Sequence, residues 1–135
     1  MPTLIDTSLW IDFTRSRSPR SLKQFIAPFL LDPDAHVTEP IVFELLRHAT
    51  AAEAKQLAQQ FQTMPHLPVP PGLWTQATEL GQACRLKNLT VNSLDLLIAT
   101  VALHHAALVI SFDDDFQKIA SISDLQVKLL ARPAS

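Results

Sequence analysis

An α/β fold of three layers, helix on sheet on helix around a mostly parallel sheet, is the fold class this sequence predicts. Two short apolar runs, Thr3-Leu4-Ile5 and Leu108-Val109-Ile110, read as buried strands; the first stops at Asp6, and the second runs through Ser111-Phe112 into Asp113. Between them the chain is dominated by helical periodicity. With 135 residues, 47% of them hydrophobic, it has the apolar content for one core, so a single domain over 1–135 is expected.

Taken in order, Asp6 ends the first strand, and Thr7 or Ser8 can cap a short helix carrying Leu9, Trp10 and Phe13. Residues 15–20 are a polar loop. Pro19 suits the first turn of a helix through Leu22, Phe25, Ile26 and Phe29, whose end Pro28 should make irregular. Asp32-Pro33-Asp34 is turn chemistry, His36-Val37-Thr38 a brief strand, and Thr38 a cap for a helix over 40–49. Helices are expected over 51–63 and 73–86. The intervening segment, with Pro65, Pro68, Pro70 and Pro71, is extended, with an edge strand at Leu67–Val69. Leu94, Leu97, Ile98, Val101 and Ala102 recur at helical spacing from Ser93 to His105, and Leu96, Ala99 and Leu103 make the other face apolar too, so this helix is buried. A short helix after Asp115 and a strand over 125–129 complete the chain.

Composition removes several function classes. Two Gly, and no GxGxxG or GxxxxGK[ST] run, exclude a glycine-rich phosphate loop. One cysteine, Cys84, in an apolar stretch, reads as a small buried hydrophobe and fits a reducing cytoplasm. Asp6 interrupts the N-terminal apolar run, so no secretory signal is expected, and no apolar run has membrane-spanning length. A net charge of −2 cannot grip nucleic acid by bulk attraction, so contact must come through a local patch or bound cations.

The carboxylates carry the chemistry. In an open parallel sheet the active crevice lies outside the carboxyl ends of the strands. Asp6 and Asp113 both fall there if their strands are neighbours. Glu44 is the only acid in Ile41–Leu46, and Asp95 the only one in its helix. Each has a plain structural alternative. Asp6 would cap the next helix, Glu44 would pair with Arg47 or His48, Asp95 would sit behind an Asn92 cap, and residues 113–115 would form a solvated turn. Four carboxylates at one rim would raise one another's pKa unless a cation joined them. Oxygen-only ligands favour Mg²⁺ or Mn²⁺, and the five His lack zinc spacing. Such a site can activate water against a phosphodiester.

Leu4-Ile5-Asp6-Thr7-Ser8, Glu44-Leu45-Leu46-Arg47, Asp95-Leu96-Leu97-Ile98-Ala99 and Leu108-Val109-Ile110-Ser111-Phe112-Asp113-Asp114-Asp115-Phe116 stand in an order that resembles the four acidic motifs of PIN domains. In length the chain is similar to VapC toxins, the ribonuclease half of bacterial toxin–antitoxin pairs. The resemblance implies a five-stranded sheet, RNA cleavage with Mg²⁺ or Mn²⁺, a homodimer and an antitoxin that blocks the site. It carries the metal role to Asp6, Glu44, Asp95 and Asp113, with Asp115 in second rank and Thr7 and Ser111 in support.

For RNA contact the candidates are Arg15, Arg17, Arg20 and Lys23, clustered within nine positions, and Arg47. Trp10 and Phe13 share an apolar face, and core packing is favoured over base stacking. Two alternatives remain: a PIN-like module that binds RNA or a partner without cutting, and a phospho-receiver, which needs an acceptor Asp after a middle strand and a Lys placed otherwise than Lys128.

Overall fold

The computed structural model describes residues 1–134. Among them the elements run β1 (Thr3–Ile5), α1 (Thr7–Thr14), α2 (Arg20–Leu31), β2 (Ala35–His36), α3 (Glu39–Arg47), α4 (Ala51–Gln62), α5 (Leu73–Leu86), α6 (Ser93–His105), β3 (Leu108–Ser111), α7 (Asp115–Ala120) and β4 (Gln126–Leu129). The four strands form one parallel sheet in the order β2-β1-β3-β4. Successive residues of a strand face opposite sides, and Leu4, Ile5, Val109 and Ile110 are all buried. Both faces of the sheet are therefore covered by helices, as parallel sheets require.

α6 is the central helix. Ile98, Ala99, Thr100, Val101 and Ala102 are buried in succession, so it is enclosed on every side. It stops at Ala106, which takes a left-handed φ of 52°, while Ala107 N–H donates back to the Ala102 carbonyl. That reversal feeds the chain straight into β3. Trp10 is 1% exposed and meets Phe61 of α4 edge-on at 5.2 Å, so it belongs to the core.

The expected fifth strand is absent from the described residues. Val37 makes a single parallel bridge to His66: Val37 N–H donates to the Pro65 carbonyl at 3.2 Å, and Leu67 N–H to the Val37 carbonyl at 2.8 Å. Pro65, Pro68, Pro70 and Pro71 have no N–H, so the ladder ends after one step. Thr38 is the N-cap of α3 by position, but its hydroxyl donates to the Leu67 carbonyl at 2.8 Å instead of capping. It closes the sheet edge where backbone donors run out. Thr38→Val should therefore leave a buried carbonyl without a partner and cost about 1–3 kcal/mol, read as a lower denaturant midpoint at unchanged slope.

Two helix ends also differ from expectation. Asp6, not Thr7 or Ser8, caps α1, its carboxylate accepting from Ser8 N–H. α2 continues past Pro28 to Leu31. Pro28 and Gln24, whose carbonyl loses its helical donor, are both exposed, so the missing bond falls on the solvent side of the helix.

Candidate metal centre

β1 and β3 are neighbours, with Leu4 opposite Val109 and Ile5 opposite Ile110. From β1 the chain crosses to β2 on one side and later returns to β3 on the other. The point where strand order reverses thus lies between β1 and β3, and the crevice opens beyond their carboxyl ends. Asp6 and Ser111 stand on either side of it, and Asp6 N–H donates to the Ile110 carbonyl at 3.0 Å.

A hydroxyl network fixes Asp6. Its Oδ2 accepts from Ser111 Oγ at 2.7 Å, from Ser8 Oγ at 2.8 Å and from Ser8 N–H at 3.3 Å. Ser8 Oγ itself accepts from Phe112 N–H at 3.1 Å, and Ser111 Oγ from Asp113 N–H at 2.8 Å. Each hydroxyl has one proton, and both protons go to Asp6. The 3.3 Å contact between the two hydroxyl oxygens therefore has no proton left to share. Asp6 is 3% exposed. Burial pushes its carboxyl up, while the bonds from Ser111 and Ser8 pull it back, with the net direction upward.

Asp95 enters from α6. Asn92 caps that helix through Oδ1 to Leu94 N–H at 2.8 Å, which puts Asp95 in the first turn, 6% exposed. Burial first, and then the charges of Asp6, Asp113, Asp115 and Glu44, push its carboxyl up to about 8. Asp113 is oriented by its own turn: Oδ1 accepts from Asp115 N–H at 2.9 Å. Asp115 is tied to the start of α6, its Oδ2 accepting from Asn92 N–H at 3.1 Å and its Oδ1 paired with Lys118 at 3.2 Å. Carboxylate oxygens of Asp95, Asp113 and Asp115 lie within 4.8 Å of one another.

Asp6, Glu44, Asp95, Asp113 and Asp115 all line one open cavity of about 480 Å³. Glu44 is half-buried and has no ion pair with Arg47 or His48 among the described residues. Thr7 lines the same cavity, and its buried hydroxyl has no protein partner. Of the basic candidates, Arg15 and Arg47 line the cavity, together with His48, whereas Arg17, Arg20 and Lys23 do not. Sequence reasoning missed Ser8, Asn92 as a ligand of Asp115, and Lys118. Only the first left a signal, since Asp-x-Ser is a self-bonding turn pattern.

The donor set suits a divalent hard cation. Three oxygens within a few ångströms, one of them on a carboxyl that holds its proton to about 8, are mutually repelling until a positive charge joins them. Asp95, Asp113 and Asp115 carry the three clustered oxygens, and Asp6 and Glu44 line the same cavity.

A parallel α/β domain with an acid cluster at its switch point defines the class. The chain belongs to the PIN domain family, which matches residues 3–122; the receiver alternative falls with that. Ribonuclease VapC11 of Mycobacterium tuberculosis is 30% identical over 128 residues, covering 91% of this chain and 95% of that protein. Among solved structures, VapBC2 of Rickettsia felis bound to a DNA fragment from its promoter has a similar fold, with a TM-score of 0.76 at 15% identity, over 97% of this chain and 100% of that one. VapC20 of Mycobacterium tuberculosis, a Sarcin-Ricin loop cleaving toxin, is similar with a TM-score of 0.70 at 19% identity, over 97% and 99%.

Proposed function

We propose that this chain is a metal-dependent endoribonuclease that acts as the toxin of a toxin–antitoxin pair. The reading rests on the convergence of acids from β1, α3, α6 and the β3–α7 turn on one cavity. Ribonuclease VapC11, at 30% identity across nearly the whole chain, supports it.

In this reading Asp6, Asp95, Asp113 and Glu44 hold Mg²⁺ or Mn²⁺, with Asp115 in second rank. A bound divalent ion supplies Lewis acidity toward a phosphoryl oxygen and makes water a better nucleophile. Ser111 and Ser8 aim Asp6 and offset part of the cost of burying its charge by giving it both hydroxyl protons. Thr7, with an unpartnered hydroxyl at the cavity, is a donor for a bound water or a phosphate oxygen. Arg15 and Arg47 line the cavity with the acids and receive the phosphates of the RNA strand on either side of the cleaved bond. Arg17, Arg20 and Lys23 stand outside it and touch RNA only beyond the cleft. The partners are RNA, a cognate antitoxin that covers the cleft, and a second copy of the chain, in the cytoplasm. Among the described residues no helix is long and apolar enough to cross a membrane.

The test is direct. Purified protein should cut single-stranded RNA when Mg²⁺ or Mn²⁺ is added and stop when a chelator removes it. Cutting that ignores the chelator would end the metal reading. Binding without cutting at any metal concentration would favour the non-cleaving module.

A further inference from the structure

Among the described residues beyond β4, 130–134, there is no regular element, yet the segment is anchored at the rim that carries the acids. Leu130 N–H donates to the Ser111 carbonyl at 2.8 Å, so the tail leaves the sheet beside the end of β3. Two residues on, Arg132 Nε donates to Asp12 Oδ2 at 2.6 Å, joining the tail to α1 across 120 positions. The guanidinium carbon of Arg132 also lies 4.5 Å from the centre of the Phe112 ring. Asp12 is 13% exposed and Arg132 53%, so the acid is sheltered while the cation reaches it from solvent.

Phe112 is the residue between Ser111 and Asp113. Its ring stacks on Phe25 of α2 at 6.3 Å and 28°, and Phe25 meets Phe29 edge-on at 5.8 Å. Lys128 of β4 stands 5.4 Å from the centre of the Phe29 ring. Three rings are thus held between two cations, both supplied by the last ten residues of the chain. The backbone of the same residue works for the metal centre: Phe112 N–H donates to Ser8 Oγ, and the next N–H, of Asp113, donates to Ser111 Oγ. Ring contacts on one side and backbone bonds on the other therefore hold Phe112 at both ends, next to the peptide that leads into Asp113. Displacements of about 1 Å in such a site are enough to matter.

We propose that Arg132 is a positioning residue for the carboxylate centre: by closing on Asp12 and the Phe112 ring together, it holds the 111–113 turn so that Asp113 stays directed at Asp95 and Asp115. It touches no substrate and acts through Phe112. Planarity is part of the function, since a guanidinium can bond Asp12 in its plane while presenting its face to the ring. The proposal rests on the metal-site reading above, and it concerns a residue outside the 3–122 span matched by the family.

The experiment measures Mn²⁺ affinity by titration calorimetry on the full chain, for wild type, Arg132→Ala, Arg132→Lys and Asp12→Asn. Amide hydrogen exchange at Phe112 and Asp113 is measured in the same proteins without metal. Arg132→Ala should weaken Mn²⁺ binding about fivefold and speed exchange at the two amides, with little change in melting temperature, because the ion pair and the cation–ring contact are each worth little to global stability at an exposed site. Arg132→Lys should fall between wild type and Ala, and Asp12→Asn should resemble Ala. A purely structural strap would lower the melting temperature and leave affinity untouched. Unchanged affinity and exchange in Arg132→Ala would overturn the proposal while leaving the metal site standing. A wild-type protein that binds no Mn²⁺ would instead remove the metal site, and this role with it.

Discussion

Asparagine in place of Asp95 should make the metal-free protein more stable at pH 8 and at the same time remove RNA cleavage. The two effects have one cause. Asp95 is buried beside Asp6, Asp113, Asp115 and Glu44, and both the burial and those charges oppose its ionisation. Asn has the same shape and no charge, so the repulsion disappears. Each unit of pKa displacement corresponds to about 1.4 kcal/mol. The open cavity admits water and screens the charges, so a gain of about 2 kcal/mol is expected rather than the full displacement. That is a rise of several degrees in melting temperature. Cleavage should fall more than a hundredfold, since even outer partners of metal ligands cost about 10–100-fold when lost. A melting temperature at or below wild type at pH 8 would mean that Asp95 is not repelled. Retained turnover would move it out of the metal set.

The second large effect is a dependence on pH that metal reverses. The Asp95 carboxyl titrates near 8 in the folded chain and near 3.8 in the unfolded chain. Between those values the folded state carries a proton that the unfolded state does not. The contribution of Asp95 to the stability of the metal-free protein should therefore be fully present below about pH 4, fall as pH rises toward 8, and level off above it, so that wild type loses stability relative to Asp95→Asn over that range. A cation must displace that proton. Mn²⁺ affinity should accordingly tighten about tenfold per pH unit from about pH 5 to about pH 7.5, flatten above 8, and release close to one proton per ion. At a hundredfold excess over its dissociation constant, Mn²⁺ should add about 2.7 kcal/mol. Calorimetry in two buffers of different ionisation heat reads the proton count. Affinity independent of pH over this range would show that Asp95 is not a ligand.

The parts that were legible in the sequence are those where one residue pattern decides the outcome. The apolar runs ending at Asp6 and Ser111, and the recurrence from Leu94 to Ala102, follow from burial alone, and their elements appear where the pattern puts them. The convergence of acids depended on β1 and β3 being neighbours, which strand order supplies and local pattern cannot. What the sequence hid was the use of polar atoms across distance. Thr38 reads as a cap, but the prolines after it leave the Leu67 carbonyl needing a donor, and that need wins. Ser8 looks like a helix-start residue, yet its proton goes to Asp6 and its lone pair to Phe112. Lys118 and Asn92 lie 26 positions apart and meet only at Asp115. The basic cluster at 15–23 looked like one patch, but it divides just after α1: Arg15, the C-cap of that helix, lines the cavity and the other three do not.

The pairing of β1 with β3 has a consequence for how the protein is made. The first strand, at the very start of the chain, finds its central neighbour only when residues 108–111 have been synthesised. Two of the five acids, Asp6 and Glu44, emerge early; Asp95, Asp113 and Asp115 come much later. No translation intermediate that stops before Asp115 can assemble the full set, so whatever the centre does is withheld until that residue has been made. Closure over so long a separation also makes this contact a late and slow one in folding.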